Sequence, residues 1–231
     1  MKIGIIGAGN IGSALATRFT QLGHEVSVAN SRGPETLSQV EAETGATAAT
    51  ASEAAQGKDV VVVTIPEKNV PSLPEDLFDG VGDEVVVIDT GNYYPRQRDG
   101  RIEPIEAGMP ESVWVSRQLG RSVVKAFNNI YAHHLRDRGQ PAGSPDRIAL
   151  PVAGDDPARK SVVMGLLDEL GFDAVDAGTL DESWRQQPGT PVYGTDFDAD
   201  GVRRSLSEAS PDRPEEFSGS LDSPGNFTEP R

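Results

Sequence analysis

The chain contains no cysteine, and this absence excludes disulfide frameworks, thiolate metal sites and thiol nucleophiles. Basic residues are in the minority, because 21 Lys and Arg face 36 Asp and Glu, which gives a net charge of −15 at pH 7. Such a charge is repelled by phosphate backbones and anionic membrane surfaces, and the sequence has no basic patch to offset it. We therefore expect no nucleic-acid partner and no membrane partner.

Long apolar runs are missing as well. The longest are short, β-like stretches such as residues 60–63, whereas a membrane span needs roughly 18 uninterrupted apolar residues. The residues after Met1 lack the basic segment and the small-residue cleavage site of a signal peptide. These features predict a cytoplasmic protein.

Short β-branched runs alternate with helical patterns, an order that is typical of βαβ units. Runs such as 59–63 are apolar on both faces, as expected for central strands that helices cover on each side. The pattern predicts an α/β, Rossmann-type, doubly wound and mostly parallel sheet of about eight strands. We expect strands at 2–6, 25–29, 46–49, 59–65, 84–89, 122–127, 147–153 and 173–176, and helices at 11–22, 34–44, 51–56, 67–78, 111–119, 131–138 and 157–170.

Two segments are expected along the chain. Residues 1–194 would form the α/β domain with a short extension after Gly178, and residues 195–231 a short helix near 199–209 followed by an acidic tail. The stretch 211–231 is rich in Pro, Ser, Gly and acidic residues, which predicts disorder. No separate helical C-terminal domain is expected, because the residues after Gly178 are too few for one.

A GxGxxG pattern follows the first predicted strand and opens the first predicted helix. In this context Gly7 allows the tight turn, Gly9 lets the backbone approach a pyrophosphate, and Gly12 permits close packing of the helix on the strand. The pyrophosphate would lie on the N–H groups at the start of the helix, which includes Asn10 and Ile11. A glycine-rich turn that only packs is the alternative.

The end of the second strand indicates which dinucleotide is preferred. NAD enzymes usually carry Asp or Glu there to bind the ribose 2′-hydroxyl, but this chain has Asn30, Ser31 and Arg32. A hydroxyl donor and a guanidinium favour the 2′-phosphate of NADP(H). The alternative is an ordinary surface arginine.

Polar residues also follow later strands, where open α/β sheets bind their ligands. Thr64, Ile65 and Pro66 would lie along the nicotinamide ribose, and Asn128 or Asn129 near the carboxamide. Each of these residues can equally be a polar residue that forms a turn.

Taken together, several motifs resemble one family. They are Lys2 to Gly12, Asn30-Ser31-Arg32, Thr64-Ile65-Pro66, Val124 to Asn128, Val152 to Asp156 and Asp176-Ala177-Gly178. In this order they resemble the deazaflavin (coenzyme F-420)-dependent NADP oxidoreductases, and they are similar to the cytosolic reductase domain of the six-transmembrane metalloreductases. The resemblance covers about residues 1–180.

The resemblance implies that a hydride passes directly between NADPH and a flavin or deazaflavin that stacks on the nicotinamide. Such chemistry needs alignment more than acid–base groups, so we expect no catalytic side chain. The resemblance also implies contacts with NADP from Gly9, Asn10, Ile11, Ser31, Arg32, Thr64, Ile65, Pro66 and Ala126.

The acceptor site is expected after Gly178, where the chain departs from the deazaflavin enzymes. Trp184 would stack on a planar ring, Arg185 would pair with an anionic tail, and Asn129 is a further candidate contact. No metal site is expected. The calcium-like run 196–201 has Ser207 instead of Glu at its twelfth position, so capping of a short helix explains it better.

The leading hypothesis is an NADPH-dependent oxidoreductase whose second substrate is coenzyme F-420 or a flavin, with a small-molecule redox acceptor as its partner. One alternative is a non-catalytic redox sensor that binds NADP(H), and a second is an NADPH reductase of a small carbonyl or imine. A homodimer that completes the acceptor pocket is left open.

Overall fold

The computed structural model describes residues 1–223 and the backbone of residues 226 and 227. The strands are β1 (Lys2–Ile6), β2 (Glu25–Ala29), β3 (Thr47–Ala49), β4 (Val60–Val63), β5 (Val86–Asp89), β6 (Arg101–Ile102), β7 (Val123–Lys125), β8 (Ala149–Val152), β9 (Asp173–Asp176) and β10 (Asn226–Phe227).

The α-helices are α1 (Asn10–Gln21), α2 (Ser38–Thr44), α3 (Ala51–Ala55), α4 (Glu103–Glu106), α5 (Glu111–Leu119), α6 (Ala132–Asp137), α7 (Pro157–Leu170) and α8 (Ala199–Glu208). Shorter 3-10 helices cover Pro34–Thr36, Glu67–Ser72, Leu180–Gln186 and Glu215–Phe217. The longest described helix, α7, has 14 residues, and none of the described helices is long and apolar enough to cross a bilayer.

The main sheet has six parallel strands in the order β3-β2-β1-β4-β5-β7. Every residue of β4 is buried: Val60 and Val62 belong to the core beneath α1 and α7, and Val61 packs with the alanines of α3 on the opposite face. Burial on both faces is what a parallel sheet between two helical layers requires. The Rossmann-type α/β fold is thus confirmed.

The last two predicted strands form a separate sheet. β8 and β9 pair in parallel with each other, and an antiparallel bridge between Lys125 and Ala153 joins them to the end of β7. All eight expected strands are therefore present, but only six of them share one sheet.

Two helical predictions were wrong in detail. The stretch 67–78 is a 3-10 helix only as far as Ser72, because Pro71 and Pro74 cannot supply the backbone N–H groups that an α-helix needs. The stretch 34–44 is split at Leu37 into a 3-10 helix and α2.

The C-terminal segment packs on the body as far as Ser223. Arg213 donates a hydrogen bond to Glu111 (2.8 Å), and the carbonyl oxygens of Ser218 and Gly219 accept bonds from arginines of the body. The expected disorder over 211–231 is therefore wrong for 211–223, because a buried carboxylate holds this segment. Residues 224, 225 and 228–231 lie outside the described residues. The helix near 199–209 is confirmed as α8, and the division after residue 194 stays a prediction.

Candidate functional site

The glycine turn between β1 and α1 is built as the sequence predicts. Gly7 has a φ of +122°, and a Cβ on it would lie 2.2 Å from the carbonyl oxygen of Thr64. A Cβ on Gly12 would lie 1.9 Å from the carbonyl oxygen of Gly7. Both positions are therefore restricted to glycine by backbone contacts.

The start of α1 is open to a ligand. Gly9 is the N-cap residue and contributes no side-chain cap, and a Cβ on it would meet nothing within 4 Å. The N–H groups of the first turn, which includes Asn10, Ile11 and Gly12, are thus free of a capping side chain. This geometry fits a pyrophosphate, since a helix N-terminus favours anions.

A cavity of about 640 Å³ lies beside this turn. Backbone hydrogen bonds from Gly7 to Ala29 (2.8 Å) and from Thr64 to Ile6 (2.9 Å) fix the ends of β1, β2 and β4 around it. The cavity brings together the predicted residues Gly7, Gly9, Asn30, Ser31, Arg32, Thr64, Ile65 and Pro66. The sequence did not single out Asn69, Ser72, Leu73 and Pro74, which complete the wall, because they lie in the stretch predicted as a helix.

The loop after β2 presents Ser31 and Arg32 to solvent at this cavity. Asn30 is occupied within the loop: its Oδ1 accepts from the backbone N–H of Arg32, and its Nδ2 donates to Oγ1 of Thr36, each at 2.9 Å. The lining residues include no Asp or Glu, although the carboxylate of Glu35 lies close to Gly33 in the same loop. The cavity wall thus leaves room for the negative charge of a 2′-phosphate.

The predicted amides at the end of β7 are engaged by other residues. Asn128 exchanges hydrogen bonds with Asn92, donates to the carbonyl oxygen of Gln186 (2.7 Å) and accepts from its side chain (3.0 Å). Asn129 donates to the same carbonyl (3.1 Å), and its Oδ1 is buried without a partner in the described part of the chain. Both amides hold loops together, and neither lines the cavity beside the glycine turn.

The backbone at this edge is unusual. Phe127 has a φ of +63°, and no other non-glycine residue in the described part of the chain has a positive φ. It is fully buried beside Ala126, which is also inaccessible. A bulky residue in the left-handed region is strained, and such strain is found mostly at functional sites.

A buried ion pair supports the loop after β5. Lys125 Nζ donates to Asp89 Oδ2 (3.1 Å) and to the carbonyl oxygen of Gly91 (2.5 Å), while Asp89 also accepts from the N–H of Gly91 (2.8 Å) and from Ser112 (2.6 Å). Burial opposes the charge on Lys125, but the neighbouring carboxylates outweigh it and raise the pKa of the ammonium. Sequence reasoning placed Asp89 and Lys125 at strand ends near the ligand-binding edge but did not predict that they pair, although each is a charged residue that ends an apolar strand.

Two glutamates lie in the same buried region. Glu67 follows Pro66, is fully buried, and neither of its oxygens has a hydrogen-bond partner among the described residues. Burial, aided by the nearby carboxylate of Asp89, raises the pKa of Glu67 well above its ordinary value. Burial also raises the pKa of Glu111, against the opposing effect of Arg213. This buried region therefore combines the ion pair of Asp89 and Lys125 with the carboxyl group of Glu67, which favours its neutral form.

The expected acceptor residues lie apart from the cofactor cavity. Trp184 lines a second cavity of about 520 Å³ between α4, the start of α5 and the C-terminal segment. Arg185 packs its guanidinium over the Trp184 ring, 5.4 Å from the centroid, and pairs with Glu182 at 3.1 Å. Their assignment to an acceptor stays a prediction.

Comparisons with known proteins agree with this geometry. Residues 2–93 match the family model described as NADP oxidoreductase, coenzyme F420-dependent. The structure of a hypothetical protein from Sinorhizobium meliloti is 33% identical, with a TM-score of 0.71 over 85% of this chain and 95% of that chain. A protein from Arthrobacter sp. FB24, described as a "putative f420 dependent nadp-reductase", is 25% identical, with a TM-score of 0.62 over 78% of this chain and 86% of that chain.

A curated relative matches over a shorter range. Protein YjhV of Escherichia coli (strain K12) is 49% identical over 66 residues, which are 29% of this chain and 48% of that protein. The match thus spans about half the length of that relative.

Proposed function

Because the chain belongs to the family of coenzyme F-420-dependent NADP oxidoreductases, we propose that it transfers a hydride between NADP(H) and coenzyme F-420 or a related flavin-like acceptor. The observation that carries this proposal is the cavity beside the glycine turn. It combines an uncapped helix N-terminus with Ser31 and Arg32 and has no acidic residue in its wall. These are the features that a dinucleotide with a 2′-phosphate requires.

Within this proposal, each part of the site holds one part of the dinucleotide. The first turn of α1 would hold the pyrophosphate, while the Ser31 hydroxyl and the Arg32 guanidinium would bind the 2′-phosphate. Thr64, Ile65 and Pro66 would contact the nicotinamide half, because they form the end of the cavity wall after β4.

The chemistry itself would come from the dinucleotide, which supplies the hydride when it is bound. The chain then has to fix the two reacting rings relative to one another, since correct orientation alone lowers a barrier by several kcal/mol, about 7–11 in favourable cases. The ion pair of Asp89 and Lys125 serves this purpose by holding Gly91 at both its N–H and its carbonyl. We propose that the loop after β5 is a rigid support for the nicotinamide.

The acceptor contacts are proposed on the sequence pattern. Asn129 lies at the end of β7, and Trp184 offers a partly exposed ring in the second cavity. If Trp184 contacts the acceptor, Trp184→Leu should raise the KM for the acceptor and leave the Kd for NADPH unchanged.

A spectroscopic assay tests the proposed function. The purified protein is mixed with NADPH and, in turn, with coenzyme F-420, FMN, FAD and a ferric chelate. We expect the deazaflavin chromophore to bleach as NADPH is consumed. If FMN or FAD is reduced but coenzyme F-420 is not, the acceptor is a flavin. Tight NADPH binding without reduction of any acceptor would support a redox sensor instead.

A single substitution tests the recognition of NADP. Loss of one charged hydrogen bond costs about 1.5–3 kcal/mol, so Arg32→Ala should weaken NADPH binding roughly 10- to 100-fold. NADH binding should change little, because NADH has no 2′-phosphate. The matched control is Arg203→Ala, which removes an exposed arginine of α8 outside the cavity. Equal losses for both dinucleotides in the Arg32 variant would contradict the assignment.

A further inference from the structure

The loop after β2 contains a side chain that is positioned to organise the loop. Asn30 is the first residue after β2; its side-chain amide accepts from the backbone N–H of Arg32 and donates to the Thr36 hydroxyl. Thr36 in turn donates from Oγ1 to the carbonyl oxygen of Gly33 (2.8 Å). Ser31, Arg32 and Gly33 are therefore enclosed by a ring of side-chain hydrogen bonds. We define Asn30 and Thr36, with the bond that joins them, as the Asn30–Thr36 pair.

The backbone adds one restraint within the loop, a hydrogen bond from the N–H of Thr36 to the carbonyl oxygen of Gly33 (3.2 Å). Ser31, Arg32, Glu35 and Thr36 are all exposed to solvent, and Gly33 takes a φ of +96°, a conformation that glycine adopts without strain. Exposed side chains of this kind lose considerable entropy when they are ordered around a ligand. A loop that is already ordered before binding loses less conformational entropy when it binds a ligand.

The hydrogen bonds also limit how the loop can recognise a phosphate. Because the N–H of Arg32 is already donated to Asn30, this amide is not available to a ligand. Recognition then depends on the Ser31 hydroxyl and the Arg32 guanidinium, whose positions follow from the backbone that the pair fixes.

We propose that the Asn30–Thr36 pair determines the preference for NADP(H) over NAD(H) by holding Ser31 and Arg32 in the conformation that accepts a 2′-phosphate. Both are positioning residues, and Thr36 acts without touching the ligand, since it is not among the residues that line the cavity. The inference rests on the proposed function, because it assumes that this cavity binds the 2′-phosphate end of NADP(H).

The test compares Thr36→Val with Thr36→Ser, using fluorescence titration with NADPH and with NADH. Valine keeps the size and removes the hydroxyl, whereas serine retains it. We expect Thr36→Val to weaken NADPH binding about three- to tenfold, as the loss of neutral hydrogen bonds implies, with NADH changed less than about twofold. Thr36→Ser should restore most of the NADPH affinity, and Asn30→Ala combined with Thr36→Val should cost less than the sum of the two single changes.

Thr195→Val is the matched control, because Thr195 makes a similar bond from its hydroxyl to a carbonyl three residues earlier and lies outside the cavity. It should leave both affinities unchanged. The inference is overturned, and the proposed function stands, if the wild-type protein prefers NADPH but Thr36→Val leaves both affinities unchanged or lowers both equally. A wild-type protein that binds both dinucleotides equally overturns the proposed function and the inference with it.

Discussion

In the loop after β2 the polar side chains of the candidate site face solvent, whereas at the ends of β5 and β7 they are buried and bonded to one another. Ser31 and Arg32 are exposed, while Asp89 and Lys125 are almost inaccessible. The first region can adjust its side chains to a ligand at little cost to the fold. The second has a fixed geometry, and any change in its charges must alter stability. We call the exposed loop with Ser31 and Arg32, which lines the cavity, the recognition end, and the buried region around Asp89 and Lys125 the rigid end.

The largest effect on stability is expected when the buried ammonium group of Lys125 is removed. Lys125→Met leaves Asp89 as an uncompensated buried charge, which should lower the free energy of unfolding by about 3–5 kcal/mol. Urea denaturation measures the change. Lys160→Met is the control, because Asp176, its partner, is half exposed and the pair should contribute only about 0–1 kcal/mol. Similar losses in both variants would mean that burial at β7 has no special role.

A second, smaller effect is expected where the C-terminal segment meets the rigid end. Arg213→Met removes the cation that pairs with the buried carboxylate of Glu111, and we expect a loss of about 2–3 kcal/mol in the same measurement. The matched control is Arg136→Met, since Arg136 pairs with the exposed Asp137 away from this segment and should contribute little. An unchanged stability for Arg213→Met would show that the segment does not support the site.

A third variant sharpens the comparison through pH. In the unfolded chain Glu67 ionises near its ordinary pKa of 4.5, but burial raises this pKa in the folded protein. The folded state thus binds the proton more tightly, and this contribution to stability is complete below pH 4.5 and is lost as pH rises towards the raised pKa.

Glu67→Gln should remove that dependence. The free energy of unfolding of the variant should exceed that of wild type by at least about 1 kcal/mol at pH 8, where ionisation of the buried carboxyl group destabilises wild type most. At pH 5 the difference should be small. Thermal unfolding across this range provides the measurement, with the exposed Glu25→Gln as control. A constant difference between Glu67→Gln and wild type at all pH values would rule out a titrating Glu67.

The smallest stability effect is expected at the recognition end. Arg32→Ala should change the free energy of unfolding by no more than about 0.5 kcal/mol, as is usual for an exposed side chain, although we expect it to weaken NADPH binding. Urea denaturation of the same protein used for the binding titration checks this. A loss above 2 kcal/mol would place Arg32 in the fold and remove the contrast between the two ends.

The sequence predicted that the glycine turn and residues 30–32 lie together at one cavity, because the signals for this geometry are local. The glycines at 7–12 and the residues 30–32 lie within a few positions of the elements that use them, so spacing alone was enough. The sheet followed from the alternation of apolar runs, but the sequence did not show that β8 and β9 form a separate sheet, which only the bridge at Ala153 joins to β7.

The rigid end could not be predicted in the same way. Lys125 meets Asp89 across 36 positions, and Asn128 meets Gln186 across 58 positions. These contacts depend on strand order and on the path of the chain after Gly178, which no local pattern specifies. For Asn128 the chemistry was suitable for a ligand, yet the fold had already used both ends of the amide.

The bond between Arg213 and Glu111 has a consequence for biosynthesis. The two residues are 102 positions apart, so at about 5–20 residues per second a ribosome finishes the arginine roughly 5–20 s after the glutamate. During that interval the nascent Rossmann sheet holds a carboxylate whose counter-ion has not yet been made.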